Sequence, residues 1–238
     1  MKTSIVVPSY NELRTLPGVL KALAALPLEK EIVVVDDGST DGTREWLDKA
    51  VADREFPCEV KVIKHESNTG KGGALITGFN AASGEIIIVQ DADLEYDPAH
   101  IPAIVKPIAE GEADVVYGSR MLSGETRTYH IVYLWGNQFL TFLINLFFRA
   151  GMTDSYTCYK AFSAPLLKKM RLSSTGFEIE AELSCKTAFL GLRFREVPIV
   201  YAPRSRQDGK KINYRDAVKG ALKVLRLRLT LRAADFGA

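Results

Sequence analysis

Short runs of apolar, mostly β-branched residues alternate along the chain with segments that have a helical pattern of apolar positions. The runs are SIVVPSY, EIVVVDDGS, EVKVIKHE, EIIIVQDAD and ADVVYGSR. Continuous apolar runs of this kind are typical of strands buried on both faces of a parallel sheet. The segments NELRTLPGVLKALAAL, STDGTREWLDKAVAD and GKGGALITGFNAASG have the length and periodicity of crossover helices. The pattern therefore predicts an α/β fold with a mostly parallel sheet flanked by helices.

Polar side chains and glycines follow the predicted strands, at the sheet edge where parallel α/β proteins bind their ligands. Pro8, Tyr10 and Glu12 come at the end of the first strand, and Asp36 and Asp37 at the end of the second. The Ser, Thr and Gly of DDGSTDG fit a turn that leads into a helix. The two acids follow four apolar residues directly, which favours a role in ligand binding. A carboxylate there can accept from a base NH or a ribose hydroxyl.

Three carboxylates alternate after the fourth predicted strand, at Asp91, Asp93 and Glu95. Alternate residues of an extended chain point the same way, so these acids share one face and repel one another unless a cation lies between them. Oxygen ligands without a neighbouring His or Cys suit Mg²⁺ or Mn²⁺, completed by substrate phosphates. A solvated acidic loop explains one acid but not three, whereas Asp97, before Pro98, fits a helix cap. The sequence therefore predicts a divalent metal site.

The glycine-rich segment SNTGKGGA suggests a phosphate-binding loop, but it lacks the glycine spacing and the Lys-Ser/Thr ending of that motif. No G-x-G-x-x-G follows the first strand, so the dinucleotide fingerprint is absent as well. What remains is a tight turn that carries Lys71 to the start of a helix. Lys71 is a secondary candidate for anion binding, and a purely structural turn explains the segment equally well.

The composition fits one compact globular domain, or one and a half. The 238 residues are 47% hydrophobic and 25% charged, which is the ordinary level for a folded protein. Cys58, Cys158 and Cys185 are too few and too scattered for a disulfide framework or a zinc site. Cys158 is expected to be a small packing residue, since no His is placed to activate it as a nucleophile. The first residues, MKTSIVVPSYNE, hold no secretory signal, so a reduced, cytoplasmic chain is expected.

Charge is distributed unevenly along the chain. Residues 201–238 contain ten Lys or Arg against three Asp, although the whole chain carries only +2. A basic segment of this kind indicates an anionic partner, and the scarcity of aromatic residues beside the cations favours a membrane surface over a nucleic acid. We therefore divide the chain into a main domain, 1–212, and a basic amphipathic helix, 213–238, suited to anionic lipid headgroups. An ordinary docking helix is the alternative.

The most hydrophobic stretch of the chain lies at residues 129–150. Asn137, Gln138 and Asn145 interrupt it, so it lacks the run of about 20 apolar residues that a membrane-spanning helix needs. Its pattern is equally compatible with an amphipathic helix in the membrane interface and with a buried core helix.

Five motifs, taken in order, resemble those of one enzyme family. They are VVPSYNE, VVDDGSTDGT, NTGKGGA, DADLEYDP and GSR. They are similar to motifs of the inverting family-2 glycosyltransferases of the GT-A fold, which has a Rossmann-like sheet. More narrowly, the chain resembles the dolichol-phosphate mannosyltransferases and other polyprenyl-phosphate sugar synthases over about residues 2–225. The resemblance favours the membrane interface for residues 129–150.

The resemblance implies a role for each matching residue. The nucleoside would be held by Pro8, Tyr10, Glu12 and Asp37, beside Asp36. The metal and the donor diphosphate would be bound around Ala92, by Asp91, Asp93 and Glu95; in relatives the third of these is often Gln. Phosphate groups would be bound by Arg120, Arg204 and Lys211. Acceptor groups would be oriented by Glu178 or Glu180, whereas Glu182 is expected at the surface. DGKK replaces the commoner G-x-S-K, so the choice between Lys210 and Lys211 stays open.

The implied reaction is the metal-dependent, inverting transfer of one hexose, mannose or glucose, from a GDP- or UDP-sugar to a polyprenyl phosphate. A divalent ion with Arg or Lys neutralises the leaving diphosphate, and an anionic lipid phosphate needs no strong general base. The processive signature Q-x-x-R-W is absent, which favours a single transfer.

Two alternatives stay open at this stage. One is an enzyme with a hydroxyl acceptor in a cell-wall or surface glycan, which would depend strictly on Glu178 or Glu180. The other is a non-catalytic nucleotide-sugar-binding subunit. The expected partners are the sugar donor, the polyprenyl phosphate and the cytoplasmic face of a membrane, without nucleic acid. Whether a small membrane-anchoring subunit is needed is left open.

Overall fold

The computed structural model describes residues 1–124, 131–203, 214–232 and 236. Two of the predicted phosphate-binding residues, Arg204 and Lys211, lie outside the described residues. Seven strands are described: β1 Thr3–Ser9, β2 Lys30–Asp36, β3 Glu59–Lys64, β4 Ile86–Val89, β5 Val115–Ser119, β6 Lys160–Ser163 and β7 Phe194–Pro198. The helices are α1 Leu16–Ala25, α2 Thr43–Ala52, α3 Lys71–Ala81, α4 Ile101–Ala109, α5 Ile131–Phe148, α6 Ala164–Lys169, α7 Ile179–Phe189 and α8 Tyr214–Thr230, with a 3₁₀ turn at Pro98–His100.

The strands form one sheet in the order β3-β2-β1-β4-β6-β5-β7. β6 runs antiparallel to β4 and β5, and the other neighbouring pairs are parallel. The predicted α/β class with a mostly parallel, Rossmann-like sheet is therefore confirmed. All five predicted strands are present, and β6 and β7 are added to them.

The core lies on both sides of the central strands. The apolar side chains of β1, β2 and β4 are almost completely buried, because α1 and α3 contact β2, α3 contacts β1, and α4 contacts β4. Helix α3 approaches the sheet at Gly78, where a Cβ atom would lie 2.3 Å from Cγ1 of Val6. This close approach holds α3 directly against β1 and β2.

Helix α5 has one buried and one exposed side. Leu140 and Ile144 are buried in the core, whereas Phe139, Phe142 and Leu146 are exposed. The buried side agrees with the core-helix alternative, and the membrane-interface interpretation of residues 129–150 stays a prediction. Of the described residues, no helix is both long enough and apolar enough to span a membrane.

Helix α8 packs against α5 and α7 and is joined to α7 by a buried ion cluster. The Glu182 carboxylate, 1% exposed, lies 2.7 Å from Lys186 Nζ and 3.3 Å from Lys223 Nζ of α8. It also accepts from the backbone N–H groups of Ser173 and Ser174. The expectation that Glu182 lies at the surface is therefore wrong: two ammonium groups and two amides replace the water that a surface carboxylate would bind.

We predict that Glu182→Gln lowers the free energy of unfolding by about 3 kcal/mol at pH 7, because Lys186 and Lys223 lose their shared carboxylate. Burial alone raises the pKa of Glu182, but hydrogen bonds from Lys186 and Ser174 outweigh burial and lower that pKa to about 2. Its contribution is therefore complete above the usual glutamate pKa of about 4.3 and is lost as the pH falls toward 2. Urea unfolding at several pH values should give a shallower acid dependence for the variant.

Glu110→Gln is the matched control for this prediction. Glu110 follows α4 directly, is half exposed and lies 3.7 Å from Lys106 of that helix, so its removal should change stability by less than about 0.5 kcal/mol. Equal losses from the two substitutions would contradict the structural role assigned to Glu182.

Candidate active site

A cavity of about 380 Å³ opens at the carboxyl ends of β1, β2 and β4, and we call it the edge cavity. Most of the residues singled out in the sequence line it. These are Pro8, Tyr10, Glu12, Asp37, Lys71, Asp91, Ala92, Asp93, Glu95, Arg120 and Glu180. Asp36 and Glu178 are described but do not line the cavity. The topology thus brings together side chains that are up to 172 residues apart in the sequence.

The turns after β1 and β2 are tied together by Asn11, which the sequence reasoning did not single out. Asn11 has a left-handed backbone conformation, with φ of 52°, which Asn tolerates better than most residues. Its backbone N–H donates to the Ser39 hydroxyl at 2.9 Å, and its side-chain oxygen accepts from the Thr40 N–H at 2.8 Å. This link fixes Tyr10 and Glu12 beside the end of β2.

Asp36 and Asp37 have different surroundings. Asp36 is fully buried, and its carboxylate pairs with Arg44 Nε at 2.7 Å, so it holds the start of α2 to the sheet. Asp37 reaches the edge cavity. Its two carboxylate oxygens accept from the N–H groups of Thr69 and Gly70, each at 2.8 Å, and Oδ1 lies 2.7 Å from Nδ1 of His65. Asp37 thereby orders the turn that leads into α3.

Asp91, Asp93 and Glu95 all line the edge cavity. Asp91 pairs with Lys71 at 2.9 Å, Asp93 Oδ1 accepts from the Glu95 N–H at 3.0 Å, and Glu95 accepts from the Tyr201 hydroxyl. Asp97 caps the following 3₁₀ turn by accepting from the Ala99 N–H, which confirms its predicted role.

The carboxylate oxygens of Asp91, Asp93 and Glu95, which we call the acidic wall, are ligands of the kind that a hard divalent cation prefers. Within the described parts of the chain, no three His, Cys, Asp or Glu side chains are grouped as metal ligands. Mg²⁺, however, is usually held by one or two carboxylates together with substrate phosphates. Asp91 and Asp93 supply such carboxylates at the cavity surface. The larger set that includes Glu95 stays a prediction.

Arg120 forms a bidentate ion pair with Asp154, a residue that the sequence reasoning missed. Nε and Nη2 each lie 2.7 Å from a carboxylate oxygen, and both side chains are buried. The guanidinium also lies over the Tyr201 ring, 5.2 Å from its centroid. Burial alone raises the pKa of Asp154, but the Arg120 charge outweighs burial and lowers that pKa. The pair therefore fixes a guanidinium in the cavity wall.

Lys71 and a second lysine, Lys160, share the carboxylate of Glu180. Lys71 Nζ lies 3.1 Å from Glu180 Oε1, while Lys160 Nζ pairs with Oε2 and also donates to the Thr157 carbonyl. Burial lowers the pKa of Lys160. Burial acts in the same direction on Lys71, but the charges of Asp91 and Glu180 outweigh it and raise the pKa of Lys71. Lys71 is thus a cavity cation.

Glu178 lies outside the edge cavity, whereas Cys158 lies in its wall. Glu178 precedes α7 and accepts from the Gly176 N–H at 3.2 Å, so the structure brings Glu180 to the cavity but not Glu178. Cys158 is buried in the cavity wall, and burial raises the pKa of its thiol well above the ordinary value. A neutral thiol is consistent with the packing role.

The lining of the edge cavity combines carboxylates with fixed cations, and Asp91 and Lys71 are in direct contact there. A site of this kind can hold a polyanion together with a divalent cation, and it can stabilise negative charge that develops on a leaving group. His65, Asp154 and Lys160 contribute from behind the wall. Their partners are 28, 34 and 20 residues away, and no local sequence pattern identifies such pairs.

Known proteins resemble this chain in sequence. Residues 4–171 match the family described as glycosyl transferase family 2. An undecaprenyl-phosphate mannosyltransferase of Micrococcus luteus is 31% identical over 221 residues, which are 88% of this chain and 87% of that protein. A dolichol-phosphate mannosyltransferase of Pyrococcus furiosus is 31% identical over 215 residues, which are 88% of this chain and 59% of that protein.

Solved structures resemble it in fold. Glucosyl-3-phosphoglycerate synthase from Mycobacterium tuberculosis in complex with UDP has a TM-score of 0.73 at 22% identity, over 98% of this chain and 82% of that one. A structure of the same enzyme with Mn²⁺, UDP-glucose and phosphoglyceric acid has a TM-score of 0.70 at 21% identity, over 98% and 81% of the two chains. The GT-A architecture expected from the motifs is thereby confirmed. By its sequence match and its relatives, the chain belongs to glycosyl transferase family 2 and is a glycosyltransferase.

Proposed function

We propose that this enzyme transfers a single hexose, mannose or glucose, from a GDP- or UDP-sugar to a polyprenyl phosphate, with Mg²⁺ or Mn²⁺. The observation that carries the proposal is the edge cavity, whose lining combines the carboxylates of Asp91 and Asp93 with the fixed cations Lys71 and Arg120. The two mannosyltransferases are named for undecaprenyl and dolichol phosphate acceptors, and the structural relative has been described with Mn²⁺ and UDP-glucose.

The residues around the cavity suit the binding of a nucleotide-sugar. Pro8, Tyr10 and Glu12 lie at the end of β1, where a nucleoside would pack and be hydrogen-bonded. Asp91 and Asp93 would hold the divalent ion, which supplies positive charge to the donor diphosphate. Lys71 adds a second positive charge on the same wall. The charge that develops on the leaving diphosphate is thus met by groups already in place, at little cost of reorganisation.

The ion pairs of Glu180 favour a phosphate acceptor over a hydroxyl acceptor. Both of its carboxylate oxygens are engaged by ammonium groups, from Lys71 and Lys160, which opposes a role as general base toward a hydroxyl. A phosphate monoester is anionic at neutral pH and attacks without a base. Arg120 is fixed in the cavity wall and can orient such an anion by charge-assisted hydrogen bonds. Attack opposite the leaving diphosphate would invert the anomeric centre.

The outer surfaces of α5 and α8 suggest where the lipid acceptor is met. Among the described side chains, four large apolar ones are exposed on each of these two packed helices, at the same spacing of four, three and four residues. They are Trp135, Phe139, Phe142 and Leu146 on α5, and Val218, Leu222, Leu225 and Leu229 on α8; we call them the α5–α8 stripes. Exposed Lys219, Arg226 and Arg228 accompany the stripe on α8. Apolar stripes with flanking cations suit peripheral binding to the cytoplasmic face of an anionic membrane.

We predict that Asp93→Asn lowers transfer of labelled hexose to polyprenyl phosphate by about 100-fold or more, because a carboxylate of the cation-binding wall is lost. The assay follows radiolabel from GDP- and UDP-hexoses into organic-extractable lipid, with and without EDTA. Asp97→Asn is the matched control, since Asn caps a helical turn as well as Asp does and should retain activity. Full activity of the wild type in EDTA would contradict the metal assignment.

We predict that Arg120→Ala raises the KM for polyprenyl phosphate by about tenfold and raises the donor KM by less. The reason is the loss of a guanidinium that Asp154 holds in the cavity wall. Arg195→Ala is the control, because Arg195 is exposed and pairs with Glu112 away from the cavity. An effect of Arg120→Ala on the donor KM alone would assign this residue to the donor diphosphate.

We predict that the double substitution Phe142→Ser and Leu222→Ser weakens binding to anionic liposomes by at least about tenfold, since one large apolar side chain is lost from each stripe. Transfer to a short-chain, water-soluble polyprenyl phosphate should be unchanged. Val51→Ser, an exposed apolar residue on α2, is the control. Wild-type binding that is insensitive to salt would argue against a contribution from the α8 cations.

A further inference from the structure

The carboxylate of Glu180 pairs with two ammonium groups, one at each of its oxygens. Oε2 pairs with Lys160, which is completely buried, contacts the face of Tyr117 and does not line the edge cavity. Oε1 lies 3.1 Å from Nζ of Lys71, which does line the cavity. One buried acid therefore connects a cation in the protein interior to a cation at the cavity surface.

Lys71 has a second anionic partner, Asp91. Its Nζ lies 2.9 Å from Oδ1 and 3.2 Å from Oδ2 of that residue. An ammonium group at both oxygens of a carboxylate competes with any other cation for the same lone pairs. If Asp91 were the sole acid near Lys71, the lysine would have either to stay on Asp91 or to leave the cavity unpaired. Both outcomes oppose the use of Asp91 as a cation ligand.

We propose that Glu180 is a positioning residue, which keeps the Lys71 ammonium in the edge cavity and thereby leaves Asp91 available as an oxygen ligand. This inference rests on the proposed function, since it concerns the binding of a donor diphosphate with a divalent cation. Lys71 exchanges its contact with Asp91 for one with the diphosphate and retains Glu180 throughout. Lys160 is the second partner of the buried Glu180 carboxylate, and a buried carboxylate without such a partner would be costly.

The packing around Lys71 restricts the positions that its backbone and its ammonium group can take. Lys71 is the first residue of α3, and the start of this helix is wedged against the loop before α7. A Cβ atom at Gly70 would lie 2.5 Å from the Thr175 carbonyl oxygen, and one at Gly72 would lie 2.2 Å from that of Ser174. The start of α3 is therefore packed closely against the loop before α7, the helix that carries Glu180. The ring of Phe177 covers the ammonium, 6.0 Å from its centroid.

The test is a double-mutant cycle read by nucleotide binding, without turnover. Isothermal titration measures the affinity for UDP and for GDP at a series of Mn²⁺ concentrations, in the wild type, E180Q, K71M and E180Q/K71M. E180Q should raise the Mn²⁺ concentration for half-maximal nucleotide binding by about tenfold, because the Lys71 ammonium then stays on Asp91. In the K71M background the same substitution should have no effect, since the competing ammonium is absent.

A second pair of variants guards against loss of folding, because E180Q leaves Lys160 buried without its carboxylate. E180Q/K160M removes both buried charges, and K160M alone is its reference; thermal unfolding identifies which backgrounds are folded. The tenfold rise should appear between K160M and E180Q/K160M as well.

An unchanged Mn²⁺ requirement in E180Q, or an equal rise with and without Lys71, would overturn this inference alone. The first outcome means that Glu180 only neutralises Lys160, and the second means that it acts through a group other than Lys71. Wild-type binding of UDP and GDP that does not depend on Mn²⁺ or Mg²⁺ would overturn the proposed metal-dependent function, and this inference with it.

Discussion

The parallel pairing of β1 with β2 and β4 is the constraint on which the rest of the structure depends. Ser9 lies beside Asp36 in the β1–β2 register, and Val6 lies beside Val89 in the β1–β4 register. The three strands therefore end at one edge of the sheet, which is where α/β proteins bind their ligands. Because the strands are apolar and buried on both faces, the polar residues that follow them are the first that can contact a ligand.

The second requirement is that charge at this edge be held rigidly. Each of two cavity cations is paired with a carboxylate that is itself almost completely buried, Arg120 with Asp154 and Lys71 with Glu180. Such pairs add little to stability, since desolvation of both partners offsets much of their attraction. Their value is geometric: a guanidinium or ammonium that is already oriented stabilises developing negative charge with little reorganisation. The edge cavity is thus preorganised at some cost in stability.

Some features of the fold and the site can be predicted from the sequence alone, and others depend on contacts that only the folded chain makes. Strong apolar patterns predict the strands β1 to β5. The acids Asp91 and Asp93 and the residues that follow β1 lie next to these patterns in the sequence, so they can be predicted as well. The strand β6 has only four residues and contains the buried Lys160, so it shows no apolar run. Asp154, Lys160 and Glu182 acquire their roles from partners brought close by the topology. For Glu182 in particular, the alternation of three acids in the sequence gives no sign of which of them are buried.

Helix α7 contacts both the edge cavity, which is proposed to bind the substrates, and α8, which is proposed to bind the membrane. Glu180 faces the edge cavity, while Glu182, two residues further along, pairs with Lys223 of α8. The contact is reinforced at Gly220 of α8, where a Cβ atom would lie 2.0 Å from the hydroxyl oxygen of Tyr156, another cavity residue. Glycine is required there because the helix and the cavity wall approach so closely. The helix proposed to lie on the membrane is therefore packed directly against the wall of the site that would receive the lipid phosphate.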